Sequence, residues 1–202
     1  MSDAAIAERP RATARRRLLD AAGDLFYRQG INATGVDAVI EAADVARMTF
    51  YKQFGSKDAL IAAYLEERDE RWRDLLERTI AGAGDDRRAG LLAIFDALEE
   101  WIATESFRGC SFVNAAAELA DPDHPARGVI EASMGALRRR VLGLAEEAGY
   151  ADPAATADRL LVLYEGALAT KAVGVVDQPA RTARATAEWV LAADGGPGQA
   201  SS

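Results

Sequence analysis

The sequence predicts an all-α fold of about nine helices. Three observations carry this. Apolar residues recur at three- and four-residue spacing along nearly the whole chain. No run of alternating β-branched residues marks a strand, and the one continuous patch, Val173-Gly174-Val175-Val176, closes a helical pattern. Cap and stop residues cut the chain into helix-length segments.

The first helix is predicted from about Thr13 to Gln29, with Leu18, Ala22, Leu25 and Phe26 on one face. Gly30 follows as its C′ residue, where a left-handed backbone is cheap for glycine. Thr34-Gly35-Val36-Asp37 has the form of a capping box. It opens a short second helix with Val36, Val39, Ile40 and Ala43 inward. A third short helix spans roughly Ala46 to Lys52, with Phe50 inward and Phe54 just beyond. Gly55-Ser56 breaks it, and Ser56 can cap a long fourth helix reaching about Thr79. Leu60, Tyr64, Leu65, Trp72 and Leu76 of that helix are available for burial.

The stretch from Gly82 to Asp86 reads as a loop. A fifth helix follows from about Arg87 to Thr104 and a sixth from about Phe112 to Leu119. Asp121-Pro122-Asp123-His124-Pro125 is a turn, after which a seventh helix runs to about Ala148. Asp152-Pro153 pairs a capping carboxylate with a proline at the first helical position and opens an eighth helix to about Val173. Pro179 opens a ninth, ending near Ala193. The Gly-rich tail, 194–202, is expected to be disordered.

Composition narrows the function. Half of the 202 residues are apolar, enough for a buried core. One cysteine, Cys110, excludes an internal disulfide. With one histidine, His124, it also excludes a zinc site built from several Cys and His ligands. No cofactor motif is present, since no strand precedes the Gly-rich tail as a phosphate loop requires. No segment reaches the roughly 18 consecutive apolar residues of a membrane helix, and Met1 to Arg9 lacks the pattern of a signal peptide. A cytoplasmic location with no membrane partner is therefore expected.

The net charge is −8, unevenly spread. Residues 1–56 carry eight basic and seven acidic side chains, and the remainder of the chain has a net charge of −9. Five of those eight basic residues fall between Arg9 and Arg17. An acidic total does not exclude nucleic-acid binding, because what matters is where the charge sits.

Residues 11–57 unite an Arg-rich helix start with two short helices joined by a tight turn. The second of these, Ala46-Arg47-Met48-Thr49-Phe50-Tyr51-Lys52, is polar on one face and apolar on the other. That is helix-turn-helix geometry, whose second helix enters the major groove with its N-terminal residues at base edges. Ala43 suits the close approach of the two helices. The competing reading is an ordinary helical hairpin, which has no need of Arg47, Thr49, Tyr51 and Lys52 on its outer face.

This stretch resembles the DNA-binding domain of the TetR family of bacterial transcriptional regulators. The matching residues are Gly30, Thr34, Val39-Ile40, Ala42-Ala43, Val45, Thr49-Phe50-Tyr51, Phe54, Lys57 and Leu60. The spacing Tyr51-x-x-Phe54-x-x-Lys57-x-x-Leu60 is specific to that family. Gly109-Cys110-x-Phe112-x-Asn114-Ala115-Ala116 and the Asp121–Pro125 turn look like a recurring subgroup. Three positions depart from the pattern: Asp44 stands where the family has glycine at the turn, Ala46 where serine caps the recognition helix, and Met48 where a small residue is common.

The resemblance implies a helix-turn-helix domain with its N-terminal arm over residues 1–56, an effector-binding and dimerisation domain over 57–193, and the tail. It implies a homodimer that binds a double-stranded DNA operator, most simply as a repressor released by a small apolar or amphipathic effector. Arg47 is expected to read base edges with Met48 and Thr49 beside it, since arginine grips guanine bidentately. Thr34, Tyr51, Lys52 and Lys57 are expected on phosphate. Family dimers form through the last two long helices, here carrying Leu160, Leu161, Tyr164, Gly166, Ala167, Leu168, Ala169, Trp189, Val190 and Leu191.

For an effector pocket the candidate lining is Trp72, Phe95, Trp101, Phe107, Cys110, Phe112, Met134 and Tyr164, with Asn114, Glu118 and His124 as orienting polar groups. For each aromatic the competing reading is plain core, and for Glu118 a solvated surface position. Cys110 reads as pocket wall or as an oxidation-responsive thiol. The rival function classes are an all-helical enzyme and a protein-interaction scaffold. Against the enzyme stands the absence of any spacing that pairs the one histidine with the one cysteine as base and nucleophile.

Overall fold

The structure, a computed structural model, describes residues 12–103 and 107–195. Within them lie nine helices: α1 (Ala14–Gln29), α2 (Val36–Ala43), α3 (Arg47–Gln53), α4 (Lys57–Gly82), α5 (Arg87–Ile102), α6 (Ser111–Glu118), α7 (Pro125–Glu147), α8 (Pro153–Val173) and α9 (Pro179–Ala193). No strand occurs among the described residues. The basic arm residues Arg9 and Arg11, and the tail beyond Gly195, lie outside them.

The chain divides into two compact units, 1–64 and 65–202. The sequence placed this division at 56/57, before α4; it falls two turns into that helix. The cause is packing: Leu60, Ile61 and Tyr64 are buried, and the Tyr64 ring meets Phe26 of α1 edge-on at 5.7 Å.

In the first unit, α1 packs against α2 and α3. Leu18, Ala22, Phe26, Val39, Ala43 and Phe50 form its centre. Thr13 caps α1 by accepting from the Arg16 amide, and Gly30 closes it at φ 100°, a backbone that side chains resist. The expected capping box at α2 does not form. Gly35 is the cap, and the Thr34 hydroxyl turns back to donate to the Gly30 carbonyl at 2.8 Å. Ser56 caps α4 as expected, its Oγ accepting from the Ala59 amide at 3.1 Å.

In the second unit, α8 packs on α7 and α9, and α5 lies against α7, α8 and α9. Phe95, Leu98, Val141, Leu144, Leu160, Leu168 and Leu191 fill the centre. Asp152 caps α8 through the Ala155 amide, ahead of Pro153. His124 is a cap too: its Nδ1 accepts from the Ala126 amide at the start of α7, so that nitrogen is not open to a ligand. Arg127 then donates to the carbonyls of Ala116 and Leu119, satisfying the C-terminal end of α6. The Asp121–Pro125 turn with Arg127 is thus a splice between α6 and α7. Asp194, expected in a disordered tail, is held by Thr156 and Arg159.

Candidate nucleic-acid interface and effector cavity

The rotation of α3 about its own axis is set by one residue. Phe50 is fully buried, with the Tyr51 ring edge-on at 5.1 Å and the Phe54 ring at 6.2 Å. At 100° per residue, anchoring Phe50 inward turns Met48 and Lys52 to the opposite side and Tyr51 to the flank, while Arg47, on the same side as Phe50, is exposed because it is the first residue of α3. All four are exposed, Met48 by 78%. Thr49 is half-buried at the edge of this face, and Lys57, half-buried, opens α4.

The approach of α2 to α3 depends on Asp44. Its backbone is left-handed, φ 49° and ψ 58°, and among the described residues it is the one non-glycine at positive φ. Aspartate tolerates this region better than most side chains. The turn has an outside brace that the sequence did not reveal: Arg17 of α1 donates from Nη1 to the Asp44 carbonyl at 3.0 Å. Ala46, extended, caps α3 without a side-chain hydrogen bond, as its departure from serine implied.

The cations of this unit differ in their engagement. Arg16 pairs with Asp20 and Arg28 with Asp24, each one helical turn away. Arg15 lies over the Phe54 ring at 5.1 Å. Arg47 reaches Asp37 of α2 at 2.5 Å, and that carboxylate raises its pKa further, with Tyr51 adding. Lys52 and Lys57 have no carboxylate partner among the described residues. Thr34 is 1% exposed and its hydroxyl is committed to Gly30, so its side chain cannot serve as a phosphate contact; that expectation is corrected.

The second unit contains a cavity of about 30 Å³. Six of the expected residues line it: Trp72, Trp101, Cys110, Phe112, Met134 and Tyr164. Four do not. Phe95 is sealed in the core on α5, and Phe107 packs against that core. Asn114 sits two positions past Phe112, on the opposite side of α6, and donates to the Arg108 carbonyl at 2.9 Å. Glu118 ends α6 away from the cavity wall.

Residues that the sequence reading missed supply the polar lining: Arg68, Ser111, Ser133 and Glu165. The available signal was spacing, since Arg68 precedes Trp72 by one helical turn and Glu165 adjoins Tyr164. Trp72 is central, with Trp101 at 5.6 Å and Tyr164 at 5.5 Å, and Arg68 lies over Trp101 at 5.0 Å. Burial pushes the Cys110 thiol up to about 11, reinforced by the Glu165 charge. Such a thiol stays protonated at neutral pH, the reverse of a reactive thiolate. Burial also raises the Glu165 carboxyl, opposed by a hydrogen bond from Cys110. The Gly109-Cys110 corner needs its glycine: φ is 93°, and a Cβ there would meet that of Ala172 at 3.3 Å.

Residues 18–64 match the family model described as bacterial regulatory proteins, tetR family. The chain is 26% identical over 180 residues to the HTH-type transcriptional regulator YjdC of Escherichia coli, covering 88% of this chain and 93% of that protein. It is 27% identical over 125 residues to the HTH-type transcriptional repressor NemR of the same species, covering 57% of this chain and 63% of that one. The solved structure of SCO4454, a TetR-family transcriptional regulator from Streptomyces coelicolor, superposes with a TM-score of 0.83 at 32% identity, covering 90% of this chain and 95% of that one. The fold, the phenylalanine-anchored recognition helix and these relatives agree, and the chain belongs to the TetR family of DNA-binding transcriptional regulators.

Proposed function

We propose that this regulator is a repressor that binds a palindromic operator as a homodimer and leaves it when a small apolar or amphipathic molecule enters the second unit. The observation that carries the reading is the outward face of α3, with Arg47, Met48, Tyr51 and Lys52 exposed around a buried Phe50. The relative NemR is named a repressor, which supports that direction of control here.

The dimer face must be redrawn from the sequence expectation. Leu160, Tyr164, Ala167, Leu168 and Leu191 are buried in their own subunit and are not available to a partner. What remains is a stripe on α8 at intervals of four, three and four: Val162, Gly166, Ala169 and Val173, all exposed. Trp189 on the adjacent α9 is 76% exposed. An indole left in water beside a stripe of small and β-branched residues favours a second copy as its cover. Two copies would present half-sites about 34–36 Å apart, or a multiple of that.

α4 is one continuous helix shared by both units. Lys57 and Leu60 belong to the first, while Trp72 lines the cavity of the second. An effector acts only through preferential binding to the DNA-incompetent state. A coupling of about 1–3 kcal/mol would lower operator affinity roughly 5- to 150-fold, and operator DNA would weaken effector binding by the same factor. The reading is tested by a gel shift on DNA upstream of the gene and its neighbours at two salt concentrations. Retarded, salt-sensitive bands on a palindromic segment support it; equal retardation of every sequence contradicts an operator.

A further inference from the structure

The cavity in the second unit carries an unusual set of unsatisfied atoms. Trp72 Nε1, Ser111 Oγ and Glu165 Oε1 are buried with no hydrogen-bond partner among the described residues, and all three residues line the same cavity. Trp72 and Ser111 are each 6% exposed. Buried polar groups are ordinarily paired, and each orphan costs folding free energy. Three orphans around one space mark a site kept for a polar guest.

We propose that the effector, on the reading given above, is a neutral, flat, ring-sized molecule that carries both a hydrogen-bond acceptor and a hydrogen-bond donor on its rim, as in a lactam or a phenol. Each element follows from the lining. An indole N–H can only donate, so the guest must offer Trp72 an acceptor. An ammonium offers none. The cation position over Trp101 is moreover already taken by Arg68 at 5.0 Å. A carboxylate guest would meet the orphaned oxygen of Glu165 as a like charge. Arg68 and Glu165 balance each other's sign, so a charged guest would bring a net charge into a desolvated space. The rings of Trp72, Trp101 and Tyr164 call for a flat partner. The space of about 30 Å³ holds little more than a water. A ring therefore requires Met134, the unbranched and adaptable member of the wall, to swing aside.

The test is isothermal calorimetry on the full chain without DNA, using four probes of similar size: 2-pyridone, toluene, benzoate and benzylammonium. We expect 2-pyridone to bind at least tenfold more tightly than the other three. Trp72→Phe, which keeps the ring and deletes the N–H, should weaken it about tenfold, and Ser111→Ala should weaken it less. Tighter binding of toluene or of either ion, lost in the cavity-filling variant Met134→Trp, overturns the ligand class while leaving the cavity as an effector site. So does 2-pyridone binding that Trp72→Phe leaves unchanged. No binding by any probe, with Trp72→Phe folded by circular dichroism and still operator-binding, overturns both the ligand class and the cavity as effector site.

Discussion

Arg17 and Asp44 stand 27 positions apart, yet the Arg17 guanidinium donates to the Asp44 carbonyl and so ties α1 to the turn between α2 and α3. The turn needs the tie because Asp44 holds a left-handed backbone that the family pattern gives to glycine. Arg17→Ala should destabilise the first unit by about 1 kcal/mol and weaken binding to every DNA sequence alike. Asp44→Gly, which removes the Cβ strain, should recover part of that loss in the double variant. Urea denaturation of the variants, with gel shifts alongside, measures both effects.

Among the described residues of this unit, Lys52 and Lys57, like Arg15, have no carboxylate partner, whereas Arg47 is held by Asp37. Lys57→Ala should lower affinity for all sequences and reduce the slope of log K against log salt by about 1. Asp37→Asn should release Arg47 and raise affinity for DNA, since the arginine no longer exchanges a carboxylate for a base. Fluorescence anisotropy over a salt series reads both. An unchanged slope for Lys57→Ala would remove that residue from the phosphate contacts.

Glu165 predicts a pH dependence. Burial raises its folded pKa above the ordinary carboxylate value, so the folded state disfavours its charge. Its contribution to stability is fully present below the unfolded value near 4.3 and is lost as pH rises through the raised one. Glu165→Gln should therefore raise Tm at pH 7 to 8, and the gain should vanish near pH 4. Thermal melts across that range check the sign.

The α8 stripe predicts the assembly. Val162→Glu or Trp189→Arg should turn a dimer into a monomer at micromolar concentration without unfolding it, because both side chains are exposed in the single subunit. Sedimentation velocity distinguishes the two. A wild-type monomer at that concentration would contradict the dimer.

Much of the fold was legible in the sequence because it is written locally. Asp152-Pro153, Gly30, Ser56 and the inward Phe50 each act within a few residues, and each works where periodicity placed it. Thr34 departs from the expected cap because a hydroxyl at a helix start can turn back to the preceding carbonyl as readily as forward to an amide. What stayed hidden is long-range. Nothing in the run of Arg15-Arg16-Arg17 says that the first covers Phe54, the second pairs with Asp20 and the third braces Asp44. In the cavity, aromatic type pointed to Trp72, Trp101 and Tyr164. The partners Arg68, Ser111 and Glu165 look like ordinary helical surface residues until α4, α6 and α8 are brought together. Phe95 and Phe107 show the converse, since an aromatic ring fits a core and a pocket equally well.

Arg47 is expected to be the residue that reads sequence. Selection of preferred sites from a randomised DNA pool, run in parallel on the wild type and on Arg47→Ala, tests this directly. The expected result is an inverted repeat for the wild type and, for the variant, loss of discrimination at one symmetry-related base position, worth about 1–3 kcal/mol. An Arg47→Ala protein that selects the same site with the same preference at every position would contradict it.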